Sequence, residues 1–335
     1  MGMFDVFRTD TVRDSFGKAL CELAQKDDSV VLVSGDSNGA SKTTNFQESF
    51  PERAFNVGIA EQNMVGFASG LAYEGYKPYV STRAPFLSMR AAEQIRTIVC
   101  YDNLPICLVA TGGGYCSGTA GATHWALEDV AIMSSFGNMT VFETGDSVLI
   151  KKIIDKSLSW KAPMYIRLGM DTEEVLYSEE FNIEFGKANE LLEGKDGYFI
   201  VSGTVVNFAV KAAKILRDTY NLDVGVFDMF TLKPIDREAI RKAATTGNIL
   251  VAHDHNVFGG LGSLVGKVIL EEKYVCNYKV LGCPDYFVPV ATAEYLYRKF
   301  EYDVDGLVKN MRNIILERRG KTNDKEKCSR RKKYI

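Results

Sequence analysis

The chain has 335 residues, of which 46% are hydrophobic and 25% are charged, and this length and composition are typical of a globular protein with two domains. The formal net charge of −3 offers no overall attraction to nucleic acid or to an anionic membrane surface, so we expect neither as a partner. No stretch is apolar for long enough to form a signal peptide or a membrane span, and the scattered cysteines lack metal-binding spacing. We therefore expect a cytoplasmic protein with reduced thiols and no metal site of its own.

Helical and strand patterns alternate through the first half of the chain. The helical run VRDSFGKALCELAQ precedes the β-rich run SVVLVSG, and helical stretches separate the further candidate strands KPYVST, LPICLVATGGG, MTVFET and PMYIRLG. Strands that are apolar on both faces and joined by helices indicate a parallel sheet covered by helices on both sides. We assign this first α/β domain to residues 1–172.

The polar stretch 173–196, rich in acids and turn residues, interrupts the alternation and is predicted to be a linker. The alternation restarts with the candidate strands GYFIVSG, DVGVFDMF, NILVAHD and NYKVLG, which predict a second, smaller α/β domain over residues 197–317. Residues 318–335 are basic and nearly devoid of apolar side chains, so we expect a solvated, disordered tail there.

Glu61 is the only charged side chain between residues 55 and 73. A glutamate in the first turn of a helix has an ordinary explanation, because the unpaired N–H groups there carry partial positive charge. Capping acids usually have polar neighbours, however, whereas Glu61 is flanked by VGIA and MVGFASG. A carboxyl group in such apolar surroundings is suited to acid–base chemistry.

The stretch around Glu61, FNVGIAEQNMVGFASGLAYEGYKPYVST, resembles the pyrimidine-binding domain of transketolases and related thiamine diphosphate enzymes without a gap. Further similar segments follow in the family's order: AAEQIRT, GATHWALEDVAIMSSFGNMTVFETGDS and PMYIRLG. In the second domain, VFDMFTLKPIDREAI, VAHDHNVFGGLGS and VLGCPDYF are similar to the transketolase C-terminal domain. The resemblance covers nearly the whole chain except the basic tail, and it implies a role for Glu61. In this family the corresponding carboxyl group hydrogen-bonds N1′ of the cofactor's aminopyrimidine ring and thereby activates the thiazolium carbon.

Family members that carry the whole site on one chain have an upstream domain that binds the diphosphate and its divalent metal through Gly-Asp-Gly and a later Asn. The only near match is Gly35-Asp36-Ser37, which we interpret as a loop at the end of the first long strand. The chain therefore resembles the C-terminal subunit of a split transketolase. This implies an N-terminal partner subunit that holds the diphosphate and Mg²⁺, a dimer core and an α2β2 heterotetramer.

Further residues match positions that the family uses around the pyrimidine ring and the substrate. Phe86 corresponds to an aromatic residue that stacks on the ring, although an ordinary core phenylalanine explains it equally well. His124 corresponds to a histidine that contacts the substrate, and we favour this role over a structural one. Trp125 replaces a smaller polar residue and would reshape the substrate pocket. Arg83 replaces another ring-stacking aromatic residue and is a candidate for contacting the cofactor and an anionic substrate.

Departures from the family concern the sugar phosphate. Typical transketolases have a histidine at the position of Gly112, an aspartate at Ala120 and an arginine at Met170, and these residues contact the substrate's hydroxyls and phosphate. A phosphate without a cationic anchor loses its strongest contacts. We therefore expect a specialised sugar substrate instead of the standard pentose phosphates.

The segment HDHN, residues 253–256, invites a metal interpretation, but we expect its two histidines to project to opposite faces of a strand, which is poor chelating geometry. The following FGGLGS is interpreted as a tight strand-to-helix turn.

The leading hypothesis is a transketolase subunit that transfers a two-carbon ketol unit from a ketose to an aldehyde, with Glu61 and His124 as catalytic residues. Two alternatives stay open. The β subunit of a 2-oxo acid dehydrogenase E1 has the same fold and the same glutamate. A catalytically silent scaffold subunit would account for the lost pocket residues, although not for Glu61.

Overall fold

The computed structural model describes residues 9–169 and 172–331, and the predicted fold class is confirmed: the chain forms two domains, each with a mostly parallel sheet and packed helices. The strands of the first part of the chain are β1 (Thr9–Thr11), β2 (Val30–Ser34), β3 (Ala54–Asn56), β4 (Lys77–Arg83), β5 (Cys107–Thr111), β6 (Thr140–Thr144), β7 (Met164–Leu168) and β8 (Thr172–Glu174). Its helices are α1 (Val12–Lys26), α2 (Asn38–Ser41), α3 (Thr44–Ser49), α4 (Glu61–Tyr73), α5 (Ala92–Gln94), α6 (Asp129–Ser135) and α7 (Ser147–Ser157). Two π-helical turns, Phe86–Arg90 and Ile95–Cys100, flank α5.

The remaining elements build the second domain. Its strands are β9 (Asn189–Leu192), β10 (Gly197–Val201), β11 (Val224–Asp228), β12 (Thr231–Lys233), β13 (Asn248–Asn256) and β14 (Asn277–Cys283). Its helices are α8 (Val205–Tyr220), α9 (Arg237–Thr246), α10 (Leu261–Glu271), α11 (Ala293–Lys299) and α12 (Val304–Arg331). None of the helices in the described ranges combines the length and the apolar character needed to cross a membrane.

The larger sheet has seven strands in the order β12-β6-β7-β5-β4-β2-β3, and all of its pairs are parallel except β12–β6. Five strands, β2, β4, β5, β6 and β7, are almost completely buried, which explains their continuous apolar runs. Because these strands run in the same direction, their carboxyl ends meet at one edge of the sheet. The loops after β3, β4 and β5 lie at this edge, and they carry the candidate site.

The smaller sheet has the order β14-β13-β10-β11-β9, with β9 antiparallel to β11. Strand β9 lies within residues 173–196, the predicted linker, as does most of β8, which pairs with β1. Strand β12 leaves its own domain and extends the larger sheet by pairing with β6. The outermost strand of a sheet has unpaired backbone groups, and β9 and β12 pair with such groups on β11 and β6. These pairings could not be predicted from local sequence patterns.

The C-terminal segment differs from the expected disordered tail, because α12 extends to Arg331. The helix begins with a buried stripe that includes Leu307, Met311 and Ile315. The basic residues that follow are good helix formers, and they extend a helix that packing has already nucleated. Residues 332–335 and 1–8, the ends of the predicted tail and of the predicted first domain, lie outside the described residues.

A buried polar network joins the two domains. Arg167 on β7 is 2% exposed, donates to Asp129 at 2.8 Å and also pairs with Glu143 on β6. The same guanidinium donates to the backbone oxygen of Asp254 on β13 at 2.9 Å, and His253 bonds Glu143 Oε2 at 2.7 Å. The first residues of HDHN therefore connect the second domain to the core of the first.

Candidate active site

Glu61 is the first residue of α4, directly after the loop that leaves β3. The N-cap residue, Ala60, supplies no side-chain cap, and Gly58 turns the chain with a φ of 76°. The Glu61 side chain is only 3% exposed, although it borders a surface cavity of about 520 Å³ whose lining includes Gln62, Asn63 and Arg90. A first-turn acid complements the helix dipole, and this one is also buried at the wall of a cavity.

Arg90 contacts both the carboxylate of Glu61 and the face of the Phe86 ring. Its Nη1 lies 3.1 Å from Glu61 Oε1 and 3.2 Å from Oε2. Its Cζ lies 4.1 Å from the centroid of the Phe86 ring, within the distance of a cation–π contact. The structure therefore brings Phe86 and Glu61 together through a third residue that the sequence reasoning missed. An aromatic residue followed four positions later by an arginine in a helical stretch was the available signal.

His124 packs against Phe86. Its ring centroid is 5.3 Å from that of Phe86, with the planes at 70°. The half-buried imidazole pairs through Nδ1 with Thr123 Oγ1 at 2.9 Å. Desolvation lowers the pKa of His124, and the charges of Arg83 and Arg90 lower it further. The imidazole is therefore neutral near pH 7.

Arg83 is the last residue of β4 and lies at the same sheet edge as Glu61. Its Nη1 donates to Ser117 Oγ at 3.4 Å, in the loop that precedes His124. The charge of Arg83 also lowers the pKa of His124, so the two side chains interact electrostatically.

Trp125 lies apart from this group. Its side chain is 2% exposed, its indole N–H donates to the backbone oxygen of Gly118 at 2.8 Å, and it meets Tyr115 edge-on. It lines a different cavity of about 230 Å³, together with the loop around Phe287 of the second domain. The pattern GATHW did not reveal that Trp125 packs away from the ring of Phe86, which its neighbour His124 contacts.

The positions that depart from the family are small or lie outside the described residues. Gly112 follows β5 with a φ of 83° and donates its N–H to Leu168 O at 2.9 Å. Ala120 is exposed at the end of a 3₁₀ turn. Met170 lies outside the described residues. The Gly35-Asp36-Ser37 segment follows β2 as a loop, as predicted.

The prediction for His253 and His255 was wrong in its geometry. Residues i and i+2 of a strand lie on the same face, and the two rings stack with centroids 5.2 Å apart and an angle of 7°. All four ring nitrogens have partners: those of His253 bond Glu143 and Leu261 N, and those of His255 bond Asn256 O and Ala131 N. Burial lowers the pKa of His255 to about 3, so this histidine is neutral and structural.

Nowhere in residues 9–169 and 172–331 do three or more His, Cys, Asp or Glu side chains form a group that could hold a metal ion. The turn after HDHN runs from Asn256 directly into α10, with Gly259 at a φ of 76°. FGGLGS is thus the tight strand-to-helix turn that was predicted.

Two family models match the chain. One, described as the transketolase pyrimidine-binding domain, matches residues 9–171, and one described as the transketolase C-terminal domain matches residues 186–307. Together they span both domains of the structure.

Several curated proteins are similar over most of their length. The chain is 35% identical to a putative transketolase C-terminal section of Methanocaldococcus jannaschii, with 90% of this chain and 95% of that protein covered. It is 33% identical to a subunit of the apulose-4-phosphate transketolase of Phocaeicola vulgatus, with 90% and 97% covered. It is 36% identical to the 6-deoxy-6-sulfo-D-fructose transketolase subunit SqwH of Clostridium sp. (strain MSTE9), with 86% and 89% covered.

Solved structures agree with these similarities. A structure described as an inactive β4 tetramer of a split-gene transketolase has a TM-score of 0.81 and 36% identity, with 91% of this chain and 98% of that chain covered. The resemblance seen in the sequence is therefore confirmed. The chain belongs to the transketolase family, of which it comprises the pyrimidine-binding and C-terminal domains.

Proposed function

We propose that this chain is the C-terminal subunit of a thiamine diphosphate-dependent transketolase, which transfers a two-carbon ketol unit from a ketose to an aldehyde acceptor. The observation that carries the proposal is the burial of the Glu61 carboxyl group at the start of α4, on the wall of an open cavity. A glutamate that only caps the helix does not require a cavity beside it, and a catalytically silent scaffold subunit does not require a buried acid at this position.

The wall of this cavity and the neighbouring Phe86 fit the aminopyrimidine ring of the cofactor. Glu61 offers a carboxyl group shielded from water, Phe86 offers an aromatic face, and a volume of about 520 Å³ has room for a planar ring. When bound, thiamine diphosphate supplies the nucleophilic carbon that carries the two-carbon unit. We assign its diphosphate and Mg²⁺ to the partner subunit.

Each side chain has a distinct task in this proposal. Glu61 would hold the ring through its carboxyl group and share a proton with it. His124 is neutral because its pKa is lowered, and its Nδ1 is engaged by Thr123. Its Nε2 is therefore the atom that exchanges a proton with a substrate hydroxyl group.

We further propose that the substrate carries an anionic group that Arg83 binds. Gly112 and Ala120 replace the family's polar contacts, whereas Arg83 and Ser117 place a cation and a hydroxyl group beside His124. A guanidinium is well matched to phosphate or sulfonate oxygens. Two relatives are named for sugars with such groups, apulose 4-phosphate and 6-deoxy-6-sulfo-D-fructose.

The partner subunit is proposed to cover the outward face of α4. Phe67 and Tyr73 are exposed there, and Ile59 is 73% exposed in the loop before the helix. Gly66 and Gly70 have open space beside them, so another backbone could approach closely. Exposed apolar surface next to a site favours a protein partner. Relatives named as transketolase subunits and the β4 tetramer of the similar structure support self-association and an α2β2 assembly.

The proposal is tested by co-purifying the chain with an N-terminal transketolase subunit. We expect the pair to bind thiamine diphosphate and to transfer a two-carbon unit between sugars. Glu61→Gln should lower kcat by about 10²–10⁴-fold, because a positioned proton-sharing group contributes that much. Glu74→Gln, at the exposed opposite end of α4, is the matched control and should leave kcat unchanged.

Other outcomes separate the alternatives. Full activity of Glu61→Gln would overturn the proposal. Reduction of a lipoyl acceptor with a 2-oxo acid would favour the E1 β subunit, and a pair that binds no cofactor would favour a scaffold. Turnover of xylulose 5-phosphate with ribose 5-phosphate at ordinary transketolase efficiency would remove the proposal of a specialised sugar.

A further inference from the structure

Arg90 is held by two contacts, both of which belong to the proposed cofactor site. One N–H group of its guanidinium faces both oxygens of Glu61, at 3.1 and 3.2 Å. Its π-face covers Phe86 at 4.1 Å. These are the two features that the proposed function assigns to the aminopyrimidine ring, namely a hydrogen bond to the carboxyl group and stacking on the aromatic face.

A guanidinium group and an aminopyrimidine ring share the properties that this position selects. Both are planar, both present N–H groups at the edge, and both have a delocalised face that stacks on an aromatic ring. A lysine shares only the positive charge, because its ammonium group is a compact point charge on a flexible stem. The space between the Glu61 carboxylate and the Phe86 ring therefore favours a planar group with N–H donors at its edge.

The two partners differ in how firmly they are held. The Glu61 side chain is 3% exposed at the base of the cavity, whereas the Arg90 side chain is 49% exposed and forms part of the cavity wall. Within the part of the chain that the structure describes, the side chain of Arg90 has no hydrogen bond besides those to Glu61. Arg90 can therefore leave towards solvent without breaking any other hydrogen bond of its own side chain.

We propose that Arg90 is a further residue of the cofactor site, which makes the contacts that we assign to the cofactor's pyrimidine ring and sets the affinity for thiamine diphosphate by competing with it. This inference rests on the proposed function. A ligand that binds only the fraction of molecules whose site is open has an apparent Kd raised by the inverse of that fraction. Arg90 thereby compensates the charge of Glu61 until the ring displaces it.

The test uses the reconstituted pair of subunits and titrates it with thiamine diphosphate and Mg²⁺ by calorimetry, which needs no turnover. Arg90→Met keeps much of the side-chain length but removes the charge, the plane and the donors. We expect its Kd to fall by about tenfold, as for a site released from a competitor. Arg90→Lys keeps the charge and should lie between the wild type and Arg90→Met.

Arg96→Met is the matched control, because Arg96 is an exposed arginine on the next π-helical turn that lines a different cavity. It should bind the cofactor like the wild type. An unchanged or increased Kd for Arg90→Met would overturn the inference while leaving the proposed function intact. A wild-type pair that binds no thiamine diphosphate would overturn the proposed function, and this inference with it.

Discussion

Two groups in this chain pair an arginine with carboxylates but differ in burial and in the number of contacts that the arginine makes. Arg167 is 2% exposed and its partners Asp129 and Glu143 are 0% and 5% exposed. Arg90 is 49% exposed and contacts one buried carboxylate, Glu61. The guanidinium of Arg167 also donates to two backbone oxygens, so a ligand could not displace it without breaking these buried hydrogen bonds. That of Arg90 has an open side, and a ligand can replace it.

The largest expected effect comes from breaking the buried group. Arg167→Met leaves the carboxylates of Asp129 and Glu143 in the core without their cation. Loss of one partner of a buried ion pair costs roughly 3–5 kcal/mol, and we expect the free energy of unfolding in urea to fall by that amount. Arg90→Met is the matched substitution and should lower it by less, because this guanidinium is half exposed and Glu61 borders an open cavity. Equal losses for the two variants would contradict the comparison.

Asp228 extends the comparison to a buried carboxyl group that has no arginine among its described contacts. It accepts from Tyr177 at 2.6 Å, and desolvation, reinforced by nearby acids, raises its pKa to about 8. Its unfolded pKa is about 3.9, so the folded state binds the extra proton between these values. The free energy of unfolding should therefore fall as the pH rises from about 4 to about 8.

Asp228→Asn removes this titration while keeping the shape of the side chain. We expect the variant to resemble the wild type near pH 4, to gain stability relative to it as the pH rises from about 4 to about 8, and to keep a constant advantage above that, as measured by thermal unfolding. Asp218→Asn, on the exposed side of α8, is the surface control. A stability difference that does not vary with pH would show that the carboxyl group of Asp228 does not bind the proton.

The smallest expected effect concerns the second arginine at the mouth of the site. Desolvation comes first among the causes that lower the pKa of His124, followed by the charges of Arg83 and Arg90. Arg83→Met removes one of these charges, so the pKa of His124 should rise while staying below its ordinary value. Proton NMR titration can follow it, because the chain has only 3 histidines.

The same substitution tests substrate binding. If Arg83 binds the anionic group, Arg83→Met raises KM for the charged sugar more than it lowers kcat, and the acid limb of the pH–rate profile moves to higher pH. An unchanged His124 titration together with an unchanged KM would separate Arg83 from the pocket.

Local patterns in the sequence were sufficient for much of the fold and for part of the site. The alternation of apolar strands and helices predicted two α/β domains, and the isolated charge of Glu61 in an apolar segment marked the start of α4. Phe86 and His124 were matched by resemblance, and the structure brings their rings together. Trp125 was also matched by resemblance, as a replacement that reshapes the substrate pocket, but in the structure it lines another cavity.

What the sequence by itself determined is the order of the elements, the burial of the strands and the position of Glu61, because periodicity and helix starts depend on residues a few positions apart. Only the tertiary structure decided the partner of Glu61, which lies 29 residues away in Arg90, and the partner of His253, which lies 110 residues away in Glu143. It also decided that β12 completes the sheet of the other domain. Such pairings depend on which groups, distant in the chain, the fold brings into contact. A local sequence pattern contains no information about these long-range contacts.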